Sequence, residues 1–87
     1  MKVDKSFCSL KGTDITIEVE CTSYNNGTIE KKYIHPISKQ SVWNINDIFS
    51  GSTLLQNASQ YQELVDKINN DDELISKITN GQKNIVY

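Results

Sequence analysis

The chain reads as α+β, with an N-terminal three-stranded antiparallel meander over about 5–10, 14–23 and 28–35 packed by helices over about 45–49, 53–69 and 71–79. Three observations predict this. Ile15, Ile17, Val19 and Cys21 alternate with Thr16, Glu18 and Glu20, the period of two that marks a strand with one buried face. Past residue 40 the period lengthens, and Leu54, Ala58, Tyr61, Val65 and Ile68 recur along one side of a helix. Between these stretches, Tyr24-Asn25-Asn26-Gly27-Thr28 is a hairpin signal, because Asn and Gly tolerate the positive φ that tight turns demand.

The first hairpin turns at Lys11-Gly12-Thr13-Asp14. Pairing about Gly12-Thr13 sets Cys8 opposite Ile17 and puts Cys8 and Leu10 on the face of Ile15 and Ile17, so register and burial pattern agree. The third strand has two registers open to it. A two-residue Asn26-Gly27 loop sets Ile34 against Val19 on the core face, whereas a three-residue loop sets Tyr33 there. Pro36 ends that strand, since it has no N–H for a ladder, and Ser38 to Ser41 reads as a polar connector.

Val42, Trp43, Ile45, Ile48 and Phe49 form the densest apolar cluster, with Asn44 placed to cap a short helix. Ser50-Gly51-Ser52 breaks it, and Ser52 is the expected cap of the main helix. The buried stripe of that helix should be Leu54, Leu55, Ala58, Tyr61, Leu64, Val65 and Ile68. Asn70 or Asp71 should start the last helix, with Asp72 and Glu73 in its first turn and Leu74, Ile75 and Ile78 facing inward. Asn80-Gly81 is its C-terminal signal, and Ile85-Val86-Tyr87 either adds an edge strand or packs down.

The 87 residues suit a single small domain spanning 1–87, marginal in stability unless a partner or self-association helps. No apolar run approaches the ~20 residues of a membrane span. Asp4, Lys5 and Ser6 interrupt anything resembling a signal peptide, so a cytoplasmic location is expected. Cys8 and Cys21 have no Cys-x-x-Cys partners. Four residues apart along the paired strands, at ~3.4 Å each, they lie roughly 13 Å from one another, beyond disulfide reach. They are expected to be buried thiols.

All nine basic residues are lysine, and the absence of arginine removes the side chain that forks onto phosphate and guanine edges. Nucleic acid is therefore a poor partner. Net charge is −2, and the helical half is the acidic one, with three lysines against six acids, where Asp66, Asp71, Asp72 and Glu73 make an acidic patch suited to a protein with a basic surface. That patch has neither calcium-loop spacing nor room for a glycosidase cleft. No nucleophile elbow, phosphate loop or dinucleotide motif is present, His35 is the sole histidine, and no cofactor or metal is implied.

Val42 to Phe49 resembles the stretch after the first strands of phage KilA-N and Bro-type DNA-binding domains, over about a tenth of the chain. Those domains carry basic helices, whereas residues 44–73 hold one lysine and six acids, and no residue role transfers. The expectation is instead a non-enzymatic protein-binding module, an inhibitor or modulator that covers a surface of a larger macromolecule. Its contacts would be the acidic patch with Trp43, Tyr24 and Tyr33, extended by Phe7 on the outer sheet face. Richness in Asn, Ile and Lys without Arg suggests an AT-rich phage or plasmid genome, which makes a host defence enzyme the concrete target. The alternative is a small nucleic-acid-binding regulator using Lys31, Lys32 and Lys39. An enzyme built on His35 or Cys8 ranks third, and homo-oligomerisation is left open.

Overall fold

The computed structural model describes residues 1–49 and 57–87. Its elements are β1 (Lys2–Ser9), β2 (Thr16–Ser23), β3 (Ile29–Ile34), β4 (Ser41–Val42), a 3-10 helix (Ile45–Phe49), α1 (Ala58–Asn69), α2 (Leu74–Thr79) and β5 (Asn84–Val86). The strands form one sheet in the order β4-β3-β2-β1-β5. The α+β architecture and the consecutive antiparallel meander are those the periodicity predicts.

β1 and β2 pair with Cys8 opposite Ile17, the expected register. Their turn is closed by Leu10 N–H donating to Ile15 O at 3.0 Å, with the Thr13 hydroxyl donating to Leu10 O at 2.9 Å. The open question at β3 resolves in favour of the three-residue loop, for Val19 lies opposite Tyr33. Tyr24 N–H donates to Thr28 O at 2.8 Å and Gly27 sits at φ 88, so the loop is a turn followed by a left-handed residue that glycine supplies without steric cost.

Two strands extend the three-stranded meander, one of them unanticipated and the other one of two outcomes expected for the tail. β4 is only two residues long and emerges from what the composition marks as a connector, pairing Tyr33 with Val42. β5 adds to the far edge, parallel to β1 with Cys8 beside Ile85, so the tail is an edge strand. Both edge strands are short, which limits the unpaired backbone offered to other chains.

The core lies between one sheet face and the helices. Cys8, Ile17, Val19 and Cys21 from the sheet meet Leu64, Val65 and Ile68 of α1, Leu74 and Ile78 of α2, and Ile48 of the 3-10 helix, all essentially sealed from solvent. Each such aliphatic side chain contributes about 1.5–3 kcal/mol on burial. Both cysteines are free and buried, as expected. Asn44 caps the 3-10 helix by accepting Asn46 N–H on Oδ1 at 2.9 Å.

The main helix was expected over about 53–69. The helix begins at Ala58, later than expected, because Asn57 at φ 63 is its N-cap and leaves the helical conformation there; the proposed cap Ser52 and stripe residues Leu54 and Leu55 fall outside the described residues. Ala58 is exposed rather than buried, lying a turn ahead of the packed residues, and Tyr61 is partly buried. The last helix starts at Leu74, three residues after Asp71. Asp71 Oδ1 accepts Glu73 N–H at 3.0 Å, and that local turn competes with helix. At the other end Gln82 N–H reaches Lys77 O and Gly81, at φ 95, reaches Ile78 O, so the glycine stop signal operates as predicted.

Candidate functional site

Alternation along the strands dictates what the sheet shows on the side away from the core. Three cross-strand rows lie there: Val3-Thr22-Glu30, Lys5-Glu20-Lys32 and Phe7-Glu18-Ile34. The middle row alternates in charge, which supports the ladder by a few tenths of a kcal/mol per pair, about 0.2–1. Val3 and Phe7 are close to half exposed, so this face is open among the described residues.

Trp43 continues that surface at the β4 edge. One residue beyond the β3–β4 ladder it falls opposite Lys32, whose Nζ sits 4.9 Å from the indole centroid. A cation over an exposed ring is worth about 0.5–1 kcal/mol. The indole is nevertheless 63% exposed, an unusual state for the largest apolar side chain in the protein.

Of the other aromatic contacts expected on this face, Tyr24 is present and Tyr33 is not. Tyr24 is half-buried and its hydroxyl donates to Glu30 Oε2 at 2.9 Å, a bond that raises the phenol above its ordinary pKa. Tyr33 is 4% exposed, because the three-residue loop turns it to the core and leaves Ile34 outside. Lys31 and Lys32, consecutive in β3, project to opposite faces and do not form one basic patch.

The acidic patch also divides. Asp66, Asp72 and Glu73 are exposed, with Asp66 accepting from Gln62 Nε2 at 2.9 Å. Asp71 instead points inward. Its Oδ2 accepts Lys77 Nζ at 2.8 Å and the Tyr87 hydroxyl at 2.7 Å, clasping α2 to the end of β5. The Lys77 hydrogen bond is the main reason the carboxyl is held below its usual range, and reciprocally the ammonium is raised. Burial pushes the adjoining Cys8 thiol up to about 12, with the Asp71 charge adding to it, and burial followed by the Asp71 hydrogen bond raises Tyr87. Asp71 is thus a structural group, unavailable to a partner.

At the end of the sheet where β2 begins and β3 finishes, Phe7, Thr16, Glu18, Ile34, His35, Pro36, Lys39 and Tyr61 line a pocket of about 320 Å³. His35 organises the β3–β4 loop beside it. Its backbone N–H donates to Gln40 O and its carbonyl accepts Lys39 N–H, both at 2.9 Å, while Nδ1 accepts the N–H groups of Ile37 and Ser38 at 3.1 Å. Lys39 adopts φ 63, a left-handed conformation uncommon for a side-chain-bearing residue. No local sequence signal marks this pocket, because four separated segments build it.

Among the described residues, no His, Cys, Asp and Glu cluster is placed to hold a metal ion, and no helix is long and apolar enough to cross a membrane. No family model, curated protein or solved structure matches the chain.

Proposed function

We propose that the chain is a non-enzymatic protein-binding module, an inhibitor or modulator that acts by occupying a surface of a larger macromolecule. The observation that carries this reading is Trp43, 63% exposed with the Lys32 ammonium over its ring at the rim of an open sheet face. Large aromatic residues lose little entropy on association and recur as energetic anchors of interfaces. Phe7, Ile34 and Tyr24 share that face, and the interleaved Glu18, Glu20, Lys5 and Lys32 offer charges of both signs to orient a partner.

The acidic contribution reduces to Asp66, Asp72 and Glu73, now that Asp71 is committed inside the fold. These two surfaces make different predictions. In a pull-down from host lysate treated with nuclease, Trp43→Ala with Phe7→Ala should release the captured protein, costing at least 2 kcal/mol as hot-spot truncations do, about thirtyfold in affinity. Retention of the same partner by that variant, with loss on Asp72→Lys and Glu73→Lys, would transfer the interface to the acidic helices. Capture that vanishes on nuclease treatment would refute the protein-binding reading.

A further inference from the structure

The pocket beneath the β3–β4 loop holds an unspent donor. His35 is 6% exposed, and two backbone N–H groups already occupy Nδ1. A ring nitrogen that accepts two N–H groups carries no proton, which assigns the imidazole N–H to Nε2. Among the described residues Nε2 has no hydrogen-bond partner. It is also not one of the sealed, unpartnered side-chain atoms, which are Asp4 Oδ2 and Ser6 Oγ. Solvent therefore reaches this donor, which is free to give its proton to water or to an acceptor on a ligand. His35 lines the pocket, and Nε2 is the one ring nitrogen the loop leaves unbonded.

The rest of the lining describes that acceptor's molecule. Lys39, on the loop the histidine organises, also lines the pocket and brings a positive charge to it. Glu18 supplies a single carboxylate on the sheet side, and Phe7, Ile34, Pro36 and the Tyr61 ring supply apolar walls. A plain anion would meet Glu18 unfavourably and a plain amine would meet Lys39 unfavourably. A molecule bearing both charges satisfies both. About 320 Å³ is at the lower end of small-molecule pockets and accommodates one amino acid with an apolar side chain.

We propose that this pocket is a binding site for a free apolar α-amino acid. His35 Nε2–H and Lys39 Nζ take its carboxylate, Glu18 takes its ammonium, and Phe7, Ile34 and Pro36 take its side chain. The site shares Phe7, Glu18 and Ile34 with the sheet face proposed to bind protein, but Trp43 does not line it, so Trp43→Ala should leave amino-acid binding intact whether or not that face binds protein.

The test is an amide NMR titration of the whole chain with L-leucine, L-valine and L-phenylalanine, beside N-acetyl-L-leucine and isoamylamine. At least one free amino acid should shift the amides of residues 35–40 and of Phe7 and Ile34 saturably at millimolar concentration. Isoamylamine, which lacks the carboxylate, should not. N-acetyl-L-leucine presents the carboxylate without the ammonium, as a peptide C-terminus does, and should bind about tenfold more weakly than leucine. Lys39→Gly removes the ammonium while suiting the positive φ, so it should fold and weaken binding about tenfold. Glu18→Gln should weaken leucine and strengthen N-acetyl-leucine, which no longer meets a like charge. Absence of shifts with all three amino acids overturns the proposal. So does unchanged affinity in both Lys39→Gly and Glu18→Gln, or equal binding of leucine and N-acetyl-leucine, the last reassigning the pocket to peptide C-termini.

Discussion

Around Asp71 the fold consumes its own polar groups, whereas around His35, a pocket-lining residue, it spends one ring nitrogen and leaves the other without a partner among the described residues. The Asp71 carboxylate accepts from Lys77, Tyr87 and the Glu73 backbone, joining α2, β5 and the turn between the helices. Nothing of that chemistry is left over for a ligand. His35 is as deeply placed, yet only its Nδ1 edge is bound, by the loop it organises. Charge density in the sequence is therefore a poor guide to availability here: the conspicuous acidic run contains a clasp, and the lone histidine borders the open site.

The largest effect that would break this contrast is on stability at Asp71. Asp71→Ala removes a charged acceptor from two side chains and one backbone N–H, and should cost about 2–3 kcal/mol, read as a lower urea midpoint with unchanged m-value. The folded carboxyl is held below its ordinary pKa, so its contribution is full above the unfolded carboxylate range and fades as pH falls below about 4. Wild type and variant should therefore converge in acid. A variant as stable as the wild type at neutral pH would show that the clasp carries no weight.

A second effect appears at alkaline pH. Burial raises the folded Cys8 thiol to about 12, so its contribution is present below the unfolded thiol value, about 8.5, and is lost as pH rises between the two. One proton gives a slope of about 1.4 kcal/mol per pH unit. Tyr87, also raised, adds its own loss only above the ordinary phenol value of about 10. Burial raises the Cys21 thiol as well, which adds a second loss from the same starting value as Cys8. Cys8→Ala should therefore make the alkaline fall in urea midpoint shallower without moving its onset, and Cys8→Ala combined with Cys21→Ala should move the onset to about 10. An alkaline slope unchanged by Cys8→Ala would mean that Cys8 ionises as readily folded as unfolded.

How much of this could be read from the sequence depended on how local each determinant was. The first hairpin, its register and the burial of Cys8 follow from alternation and one turn, and they match the structure. The third strand left two registers because Ile34 and Tyr33 are both apolar enough for the core, and the turn geometry at Gly27 decided between them. β5 lies parallel beside β1, a pairing set by how α2 returns the chain and by the Asp71–Tyr87 bond, neither visible in a local window. β4 is too short to have a period at all. The acidic patch was legible as residues but not as orientation. Asp71 differs from Asp72 only in which way the turn before α2 points it.

The smallest effect tests the His35 half of the comparison directly. The loop asks of this side chain an acceptor at the Nδ1 position, receiving Ile37 and Ser38 N–H. Asparagine places a carbonyl oxygen near that position and forms the same kind of local turn, whereas glutamine sets its amide one bond further out, nearer to Nε2. His35→Asn should then cost only a few tenths of a kcal/mol, about 0.5, while His35→Gln should cost about 1–2 because two buried N–H groups lose their acceptor. Thermal or urea unfolding of the pair measures the difference. Equal losses would mean that the loop needs the ring's bulk rather than its nitrogen, and that His35 supports the pocket wall by packing alone. The predicted order, with asparagine the more stable, separates the nitrogen that holds the loop from the one the loop leaves unbonded, since the better-folded variant is the one that lacks the Nε2 donor.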